Sequence, residues 1–424
     1  MHTNGHSPAA NPSRRVVITG VGLVTPLGHD LPTSWAQMAA GKSGTSAITH
    51  WDASEFPTQI NGRVNDWDAN AYMDRKEARR TGRGTQFAYK AAQDAIAMSG
   101  LDLEQEDKRR IGVEIGLAFG GWDIVEEESA KLAAGGPRRF NPAAGTAALI
   151  SGTPTFIAIK LGVTGPTNSQ VTACATGITS IGEASRRLQR GDADVMIAGG
   201  AEGYLSPMII TTFSRLGAAS TNNANPEKAC APFSGNRDGM VVAEGAGVFV
   251  LETLEHAQAR GATILAEFAV YSNSEDAYDM VAPEPTGTGA MTCMSLALAE
   301  SGLAPSDIDW IVAHGTGTML NDTMETAAIK RVFGEVAYAI PVTSIKSSIG
   351  HAMGAAGAQS AAVLVKSMQE NRILPTINYE IPDPDCDLDY VPNESRAHRV
   401  DAGLCNGFGL GGQNATLVLK RFVA

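Results

Sequence analysis

One cysteine stands where a protein chain often places a reactive group. Cys174 lies in Val171–Gly177, where the pattern predicts that a strand turns into a helix. A helix N-terminus carries a partial positive charge, so we expect it to lower the pKa of the Cys174 thiol. Gly177 is expected to relax the turn. Since an intracellular cysteine is more often buried and inert, Cys174 alone does not predict a site.

Two histidines change that assessment. His314 ends a predicted buried strand, and His351 begins a predicted helix rich in glycine and alanine. In α/β folds the ends of strands and the starts of helices are where ligands bind. Together with Cys174 they predict one site with a nucleophile and two imidazoles. Zinc is the alternative, and we disfavour it because the three residues lack closely spaced ligand pairs.

Composition limits the classes of function. The chain has 424 residues, 43% of them hydrophobic, and a net charge of −12, which argues against nucleic acid or an anionic membrane as partner. No apolar run reaches the roughly 18 residues of a membrane span, so we expect a soluble protein. Five cysteines without CxxC spacing indicate neither disulfides nor zinc, which favours the cytoplasm. Residues 1–13 are polar and are expected to form a disordered leader.

Strands and helices alternate along the chain, which predicts largely parallel sheets covered by helices on both faces. The Gly20-Val21-Gly22 turn lacks the third glycine of a dinucleotide fingerprint, because Thr25 stands in its place. The main predicted strands are 16–19, 111–119, 195–198, 245–251, 264–270, 310–313, 342–344, 402–407 and 415–419. The main predicted helices are 85–99, 126–134, 178–188, 254–260, 290–301, 323–332 and 351–369. The rhythm repeats, so we predict two similar α/β halves, 14–271 and 272–424.

Four motifs occur in order along this chain: 172–177 (TACATG), 314–318 (HGTGT), 346–351 (KSSIGH) and 406–414 (NGFGLGGQN). Together they resemble the signature of the β-ketoacyl-acyl-carrier-protein synthases, most closely synthase II of type II fatty acid synthesis. The resemblance extends from Arg15 to Arg421. It implies a thiolase-like α/β fold, with two βαβαβ-type halves in a five-layer α-β-α-β-α body, usually as a homodimer.

The resemblance also implies an activity. Such an enzyme is an acyltransferase that condenses an acyl chain, held on Cys174, with malonyl-acyl-carrier protein. The products are CO₂ and a 3-oxoacyl chain two carbons longer. His314 and His351 are expected to donate hydrogen bonds to the enolate oxygen formed by decarboxylation. Acyl-carrier protein is the implied partner, its phosphopantetheine carries the substrates, and no metal or cofactor of the enzyme itself is expected.

Supporting roles follow from the same resemblance. Lys346 and Glu325 are expected to orient the histidines, and the N–H groups of Cys174 and Phe408 to hold the oxyanion. Ordinary alternatives stay open: a buried salt bridge for Lys346 and Glu325, turn capping for the threonines, core packing for Phe119 and a solvated face for the basic residues. The remaining expected contacts are Gly407 and Gly409 beside Phe408, Thr316 and Thr318 on phosphopantetheine, Phe119 at the acyl pocket, and Lys76, Arg79 and Arg80 at the carrier protein.

The chain departs from the family pattern in a few places. Gly217 replaces a basic residue, and Leu410 and Gln413 stand where Phe and Thr or His are expected. A ketosynthase of a polyketide or specialised-lipid pathway is one alternative function, and a non-catalytic partner subunit of a heterodimer is another. A thiolase would need a second late cysteine, for which Cys405 is the candidate.

Overall fold

The computed structural model describes residues 14–423, so the predicted leader 1–13 lies outside the described residues. The strands are β1 Val16–Val24, β2 Ser46–Ala47, β3 Ile60–Asn61, β4 Ile111–Gly116, β5 Thr167–Asn168, β6 Val195–Glu202, β7 Gly245–Thr253, β8 Ala266–Glu275, β9 Trp310–Val312, β10 Val342–Thr343, β11 Arg372–Ile373, β12 Arg396–Ala397, β13 Ala402–Phe408 and β14 Gln413–Lys420. The helices are α1 Leu31–Ala39, α2 Arg75–Ala78, α3 Arg83–Ser99, α4 Trp122–Gly135, α5 Ala144–Ala147, α6 Gly152–Leu161, α7 Thr176–Arg190, α8 Pro207–Arg215, α9 Leu254–Ala259, α10 Thr288–Ser301, α11 Met319–Phe333, α12 Lys346–Ile349 and α13 Ala356–Glu370.

Ten of these strands form one mixed sheet, in the order β10-β9-β13-β14-β8-β1-β7-β6-β4-β5. The prediction of a largely parallel sheet is wrong for its central part. There the neighbouring pairs from β13 to β6 are all antiparallel, and only the pairs at the two ends are parallel. A short connection, such as the glycine-rich loop between β13 and β14, suffices for antiparallel strands.

The sheet has an internal symmetry. From its centre outward the order is β1-β7-β6-β4-β5 on one side and β8-β14-β13-β9-β10 on the other. Each half thus places its first, fifth, fourth, second and third strand in the same sequence, which confirms the two similar halves of the implied fold. The proposed boundary at 271/272 falls inside β8, and the exact division of the chain stays a prediction.

Helices complete the layers. The helix α3 packs on β1 and β7, and α10 packs on β8 and β14, while α7 and α13 contact each other between strands of both halves. Gly20 and Gly22 explain how α3 lies so close to β1. A Cβ at either position would come within 1.9 Å of a carbonyl oxygen, of Ala95 and Ala91 respectively. The Gly-x-Gly pattern therefore serves helix packing.

The two central helices begin in the same way. A single 3₁₀ turn precedes each, Ala173–Ala175 before α7 and Met353–Ala355 before α13. In both turns the first residue has a positive φ, 47° at Ala173 and 42° at Met353. The prediction that helix α13 begins at His351 is therefore wrong by five residues. Among residues 14–423, no helix is long and apolar enough to cross a membrane.

Gly177 does not relax a turn, as the sequence suggested. It lies inside α7, and a Cβ there would be 2.6 Å from the main-chain nitrogen of Ala358 in α13. Its role is close packing of the two central helices. The backbone conformation that resembles a turn belongs to Ala173.

Candidate active site

The fold brings Cys174, His314 and His351 together. The Cys174 sulfur and a ring nitrogen from each histidine lie within 4.8 Å of one another, and all three side chains are buried. Cys174 occupies the 3₁₀ turn before α7, His314 follows β9, and His351 follows α12. They line a cavity of about 350 Å³ whose other walls include Phe213, Met240, Thr316, Thr318, Met324, Phe408, Gly409 and Leu410.

The Cys174 thiol is less acidic than the sequence suggested. Burial raises its pKa to about 11, while the charge of Lys346 and the N–H of Leu410 lower it only in part. The expected lowering by the α7 N-terminus is therefore wrong for the structure as described. The sulfur lies in an apolar cluster with Met353 and Phe213, where desolvation of a thiolate outweighs the helix end. Deprotonation thus needs a nearby base.

Both imidazoles suit a role as neutral hydrogen-bonding groups. Burial lowers the pKa of His314 and of His351 well below the usual value, and the charge of Lys346 adds to both effects. The rings meet edge to face with centroids 5.3 Å apart. Both ring nitrogens of His351 are buried and make no hydrogen bond to any other residue in the described chain. They are thus available to a bound substrate.

Glu325 and Lys346 hold the main chain of His314 from two sides. The N–H groups of His314 and Gly315 donate to Glu325 at 2.8 and 2.7 Å, and Asn406 donates at 3.1 Å. Lys346 Nζ donates to the carbonyl oxygen of His314 at 2.5 Å. Within residues 14–423 the two charged groups form no direct ion pair, so the alternative of a simple salt bridge is wrong. The histidine lies between them.

Asp322 fixes the turn after His314, and the sequence reasoning missed it. Its carboxylate accepts hydrogen bonds from the N–H groups of Thr316, at 3.0 Å, and Gly317, at 3.2 Å. The Thr316 and Thr318 hydroxyls are 2.9 Å apart, and Thr318 also caps α11. Both hydroxyls therefore take part in the turn while they line the cavity. An acidic residue five positions after Gly317 and seven after Gly315 was the available signal.

The loop after β13 closes over the nucleophile. The Phe408 ring lies 5.7 Å from the His314 ring. A Cβ at Gly409 would be 2.8 Å from the carbonyl oxygen of Thr172 and 3.2 Å from the nitrogen of Cys174, so only glycine fits there. Gly407 approaches Ala175 similarly, at 3.3 Å. The Leu410 N–H, which the sequence did not indicate, lowers the pKa of the Cys174 thiol in part.

Phe119 lies beside the cavity and does not form its wall. It is half-buried and packs against the apolar cluster that contains Cys174. Its ring contacts Tyr204, Trp122 and Phe213, with the Phe213 centroid 6.5 Å away. Phe213 itself lines the cavity. An elongated ligand that extends beyond this cavity would contact Phe213 first and Phe119 behind it.

The predicted docking residues lie away from this cavity. Lys76, Arg79 and Arg80 are exposed on and just after α2, and within residues 14–423 none of them forms an ion pair. Arg79 and Arg80 border a separate polar cavity of about 250 Å³. Arg138 and Arg139 are also exposed, and this second basic pair escaped the sequence reasoning.

The three reactive side chains are also a donor set that zinc accepts. The surrounding charge opposes a cation, however. Lys346 is buried next to them, and its positive charge already disfavours protonation of both histidines. A divalent ion would meet the same repulsion.

Comparison with known proteins gives one consistent result. The profile of the Beta-ketoacyl synthase N-terminal domain matches residues 13–257, and that of the C-terminal domain matches residues 265–380. The chain is 45% identical over 408 residues to "3-oxoacyl-[acyl-carrier-protein] synthase 2" of Coxiella burnetii, which covers 96% of this chain and 99% of the relative. It is 43% identical over 409 residues to the protein of the same name from Synechocystis, covering 96% and 98%.

Solved structures agree. One solved structure, AntDE:AntF, holds a type II PKS acyl-carrier protein in complex with its ketosynthase bound to the hexaketide. The matching chain of that structure aligns with this protein with a TM-score of 0.90 and 35% identity. That alignment covers 97% of this chain and all of the other. The ishigamide ketosynthase/chain length factor aligns with a TM-score of 0.91, 33% identity and the same coverage. With the thiolase-like sheet order and the Cys-His-His site, these matches show that the chain belongs to the beta-ketoacyl synthase family.

Proposed function

We propose that this chain elongates fatty acids by decarboxylative Claisen condensation. An acyl group on Cys174 joins the two-carbon unit of malonyl-acyl-carrier protein, which gives 3-oxoacyl-carrier protein and CO₂. One observation carries the proposal: a buried thiol lies within 4.8 Å of two imidazoles in a single cavity. The names of the relatives from Coxiella and Synechocystis support the same reaction.

The first step transfers the acyl chain to the enzyme. The Cys174 sulfur attacks the thioester carbonyl, its proton passes to a neighbouring neutral imidazole, and the carrier thiolate leaves and takes up a proton. His351 suits the proton transfer because both its nitrogens are unpaired among the described residues. The N–H groups of Cys174 and Phe408 are the proposed donors to the oxyanion.

The second step forms the carbon–carbon bond. The malonyl thioester loses CO₂, and the electron pair of the broken carbon–carbon bond stays on the thioester and forms an enolate. The enolate oxygen accepts hydrogen bonds from the N–H groups of His314 and His351. The enolate carbon attacks the acyl-Cys174 carbonyl, and the sulfur leaves with its electron pair. Neutral imidazoles can donate in this way, and their lowered pKa values keep them neutral.

The remaining groups position these three. Glu325 and Lys346 fix the position of His314 in the cavity through hydrogen bonds to its main chain. Thr316 and Thr318 present hydroxyls to the proposed phosphopantetheine arm, and Gly407 and Gly409 let the Phe408 loop lie against Cys174. In this proposal the enzyme needs no cofactor of its own, since the carrier protein brings the thioester.

Acyl-carrier protein is the proposed partner, bound through exposed cations. The solved structure of a type II PKS acyl-carrier protein in complex with its ketosynthase supports such a complex. The candidates are Lys76, Arg79 and Arg80, and we add the exposed pair Arg138 and Arg139. These groups lack ion pairs within residues 14–423 and can therefore bind an acidic surface without first breaking an internal contact.

A second copy of the chain is the other proposed partner. The edge strand β5 is exposed, whereas β10 at the opposite edge is buried. Ile159 on α6, a helix that contacts β5, and Val171 just after β5 are exposed apolar side chains. Trp122, Leu132 and Leu149 of the same half are exposed as well. An open edge beside an apolar surface favours pairing with a like surface. Light scattering of the purified chain tests the homodimer.

The pathway and the compartment are proposals as well. The type II PKS ketosynthase and the ishigamide ketosynthase/chain length factor have a similar fold at 35% and 33% identity, whereas the 3-oxoacyl-[acyl-carrier-protein] synthase 2 of Coxiella burnetii reaches 45%. The higher identity favours fatty acid synthesis. Cys174 is present, which disfavours a non-catalytic subunit, and Cys405 is buried in the core on β13, which disfavours a thiolase. Five free cysteines support the cytoplasm.

One experiment tests the reaction. The chain is incubated with malonyl-carrier protein and a ladder of acyl-carrier proteins, and product lengths are read by mass spectrometry. We expect 3-oxoacyl products two carbons longer than each accepted primer and one acyl adduct, on Cys174. The Cys174→Ala variant is expected to abolish condensation. An adduct on Cys230 or Cys405 would contradict the assignment.

A further inference from the structure

Glu202 is a buried carboxyl group that the proposed reaction does not use. It ends β6 and is 1% exposed. Its Oε2 accepts hydrogen bonds from three main-chain N–H groups, of Ala118 at 2.9 Å, Phe119 at 3.4 Å and Gly354 at 3.3 Å. Its Oε1 is buried without a partner in the described chain. A buried carboxyl is costly to keep, so its hydrogen bonds define a fixed position.

The donors belong to two loops with different tasks. Phe119 follows β4, and its ring packs on Phe213, which lines the cavity. Gly354 follows Met353, whose sulfur lies 4.0 Å from the Cys174 sulfur. One carboxyl oxygen therefore bonds both the loop behind the apolar wall and the turn that touches the nucleophile.

The two loops are also in main-chain contact. A Cβ at Gly354 would come within 2.6 Å of the Ala118 nitrogen and 3.0 Å of Glu202 Oε2. Met353 is held at a φ of +42°, a conformation that needs support from its surroundings. A displacement of either loop would therefore be felt by the other.

We propose that Glu202 is a positioning residue that fixes the Phe119 loop against the Met353–Gly354 turn, so that the depth of the apolar wall and the place of the Cys174 thiol are set together. The proposal rests on the proposed function in one respect, namely that this wall receives the acyl chain. The place of the accepting oxygen matters here more than its charge, since burial already raises the pKa of Glu202 to about 8.

Two substitutions separate position from charge. Glu202→Gln keeps an oxygen at the same reach without a titratable group, and Glu202→Asp keeps the carboxyl group on a side chain one carbon shorter. The probes are iodoacetamide and N-octyl iodoacetamide, and labelling of Cys174 is followed by intact-protein mass spectrometry. We expect Glu202→Gln to keep the wild-type ratio of octyl to unsubstituted labelling rates. Glu202→Asp is expected to raise it on the order of tenfold, because the hydrogen bonds that hold the wall are lost.

Controls make the result specific. Glu252 is a second buried glutamate, which accepts from Thr19 and Arg260 at the end of the β6–β7 pair opposite to Glu202. Glu252→Gln is expected to lower thermal stability without changing the labelling ratio. Gly354→Ala pushes the loops apart with Glu202 intact and is expected to raise the ratio. It also provides the test if Glu202→Asp does not fold.

An unchanged or lower ratio in Glu202→Asp, or an equal change in Glu202→Gln, would overturn the proposal. Labelling needs neither carrier protein nor malonyl thioester. If the wild-type chain fails to condense while the labelling ratios behave as expected, the proposed function fails and the role of Glu202 stands.

Discussion

His314 is held through its peptide groups, which leaves its ring to the cavity. Glu325 accepts from its N–H and Lys346 donates to its carbonyl oxygen. The charges of a buried acid and a buried base thereby compensate each other across the peptide groups of His314, although the two side chains form no direct contact. Burial keeps both imidazoles neutral by lowering their pKa, and the charge of Lys346 adds to this effect, so the residue that fixes His314 also contributes to its protonation state.

The two histidines should differ in their effect on acylation of the nucleophile. Replacing either His314 or His351 with Ala removes one enolate donor, a loss of about 3 kcal/mol in transition-state stabilisation for an oxyanion contact. We expect condensation to slow roughly a hundredfold in either variant. Acylation of Cys174 should be largely retained in the His314→Ala variant. Single-turnover acylation and malonyl decarboxylation measure the two steps separately. Activity lost to a chelator would instead favour the zinc alternative.

The raised pKa of Cys174 has a direct readout. Since burial raises it to about 11, the thiol is neutral at pH 7 and its thiolate fraction grows about tenfold per pH unit up to that value. Iodoacetamide labelling of the free enzyme should therefore still be rising at pH 9. A plateau below pH 8 would restore the helix-end effect that the sequence suggested. Cys174→Ala serves as the blank.

At the scale of elements, glycine contacts and short polar clusters decide where the helices lie. The glycines of β1 admit α3, and Gly177 admits α13. Far from the site, Glu252 on β7 joins three elements: Thr19 of β1, His256 of α9 and Arg260 just after α9 all bond its carboxylate. Such clusters make the positions of elements sensitive to pH.

The cluster around His256 should destabilise the protein as pH rises. Hydrogen bonds to Glu252 and Glu106 raise the pKa of His256 above its usual value. The stabilisation by the charged imidazole is then fully present below about pH 6.5 and is lost as pH rises through the folded-state pKa. We expect the difference in Tm between wild type and His256→Gln to shrink from pH 6 to pH 9. A difference that grows over this range would contradict the assignment.

Phe119, which follows β4, is a residue that could limit the length of the acyl chain that the enzyme accepts. If its ring limits the acyl pocket, Phe119→Gly should extend the longest accepted primer without slowing short ones, because removal of a phenyl ring frees space that a packed core does not otherwise yield. The product ladder measures this. A variant that only loses stability, with an unchanged ladder, would identify Phe119 as core packing.

For the molecule as a whole, the two halves share one strand order, but their outer edges differ. The β5 edge is exposed with apolar neighbours, while the β10 edge is buried. The net charge is −12, yet exposed cations gather at α2 and near Arg138. An acidic partner must therefore approach a local patch against the field of the whole protein.

Docking should depend on that patch and on salt. Changing Arg79 and Arg80 to Glu should raise the KM for carrier-bound substrates and weaken the salt dependence of the rate. A small thioester without carrier protein should be affected much less. Equal losses on both substrates would mean that the substitutions damage the fold. Lys366→Glu combined with Arg372→Glu, at the end of α13 and just after it, changes the net charge by the same amount and is the control.

The sequence predicted the reactive residues better than the forces on them. Cys174, His314 and His351 stand at element ends, and short motifs suffice to mark such places. The antiparallel centre of the sheet, the roles of Gly177 and Asp322, and the high pKa of Cys174 depend on contacts between segments far apart in the chain. Local patterns carry no information about desolvation or about which backbones meet.

The close backbone contacts at Gly20, Gly22 and Gly177 also affect how variation in this protein should be interpreted. In a saturation mutagenesis library, these three positions should tolerate substitution as poorly as Cys174 does, since any side chain would displace a neighbouring main chain. Yet none of the three lines the cavity. Intolerance to mutation would then identify two kinds of residue, those that take part in the reaction and those that allow helices and strands to pack closely. Separating them requires variants that fold but do not react.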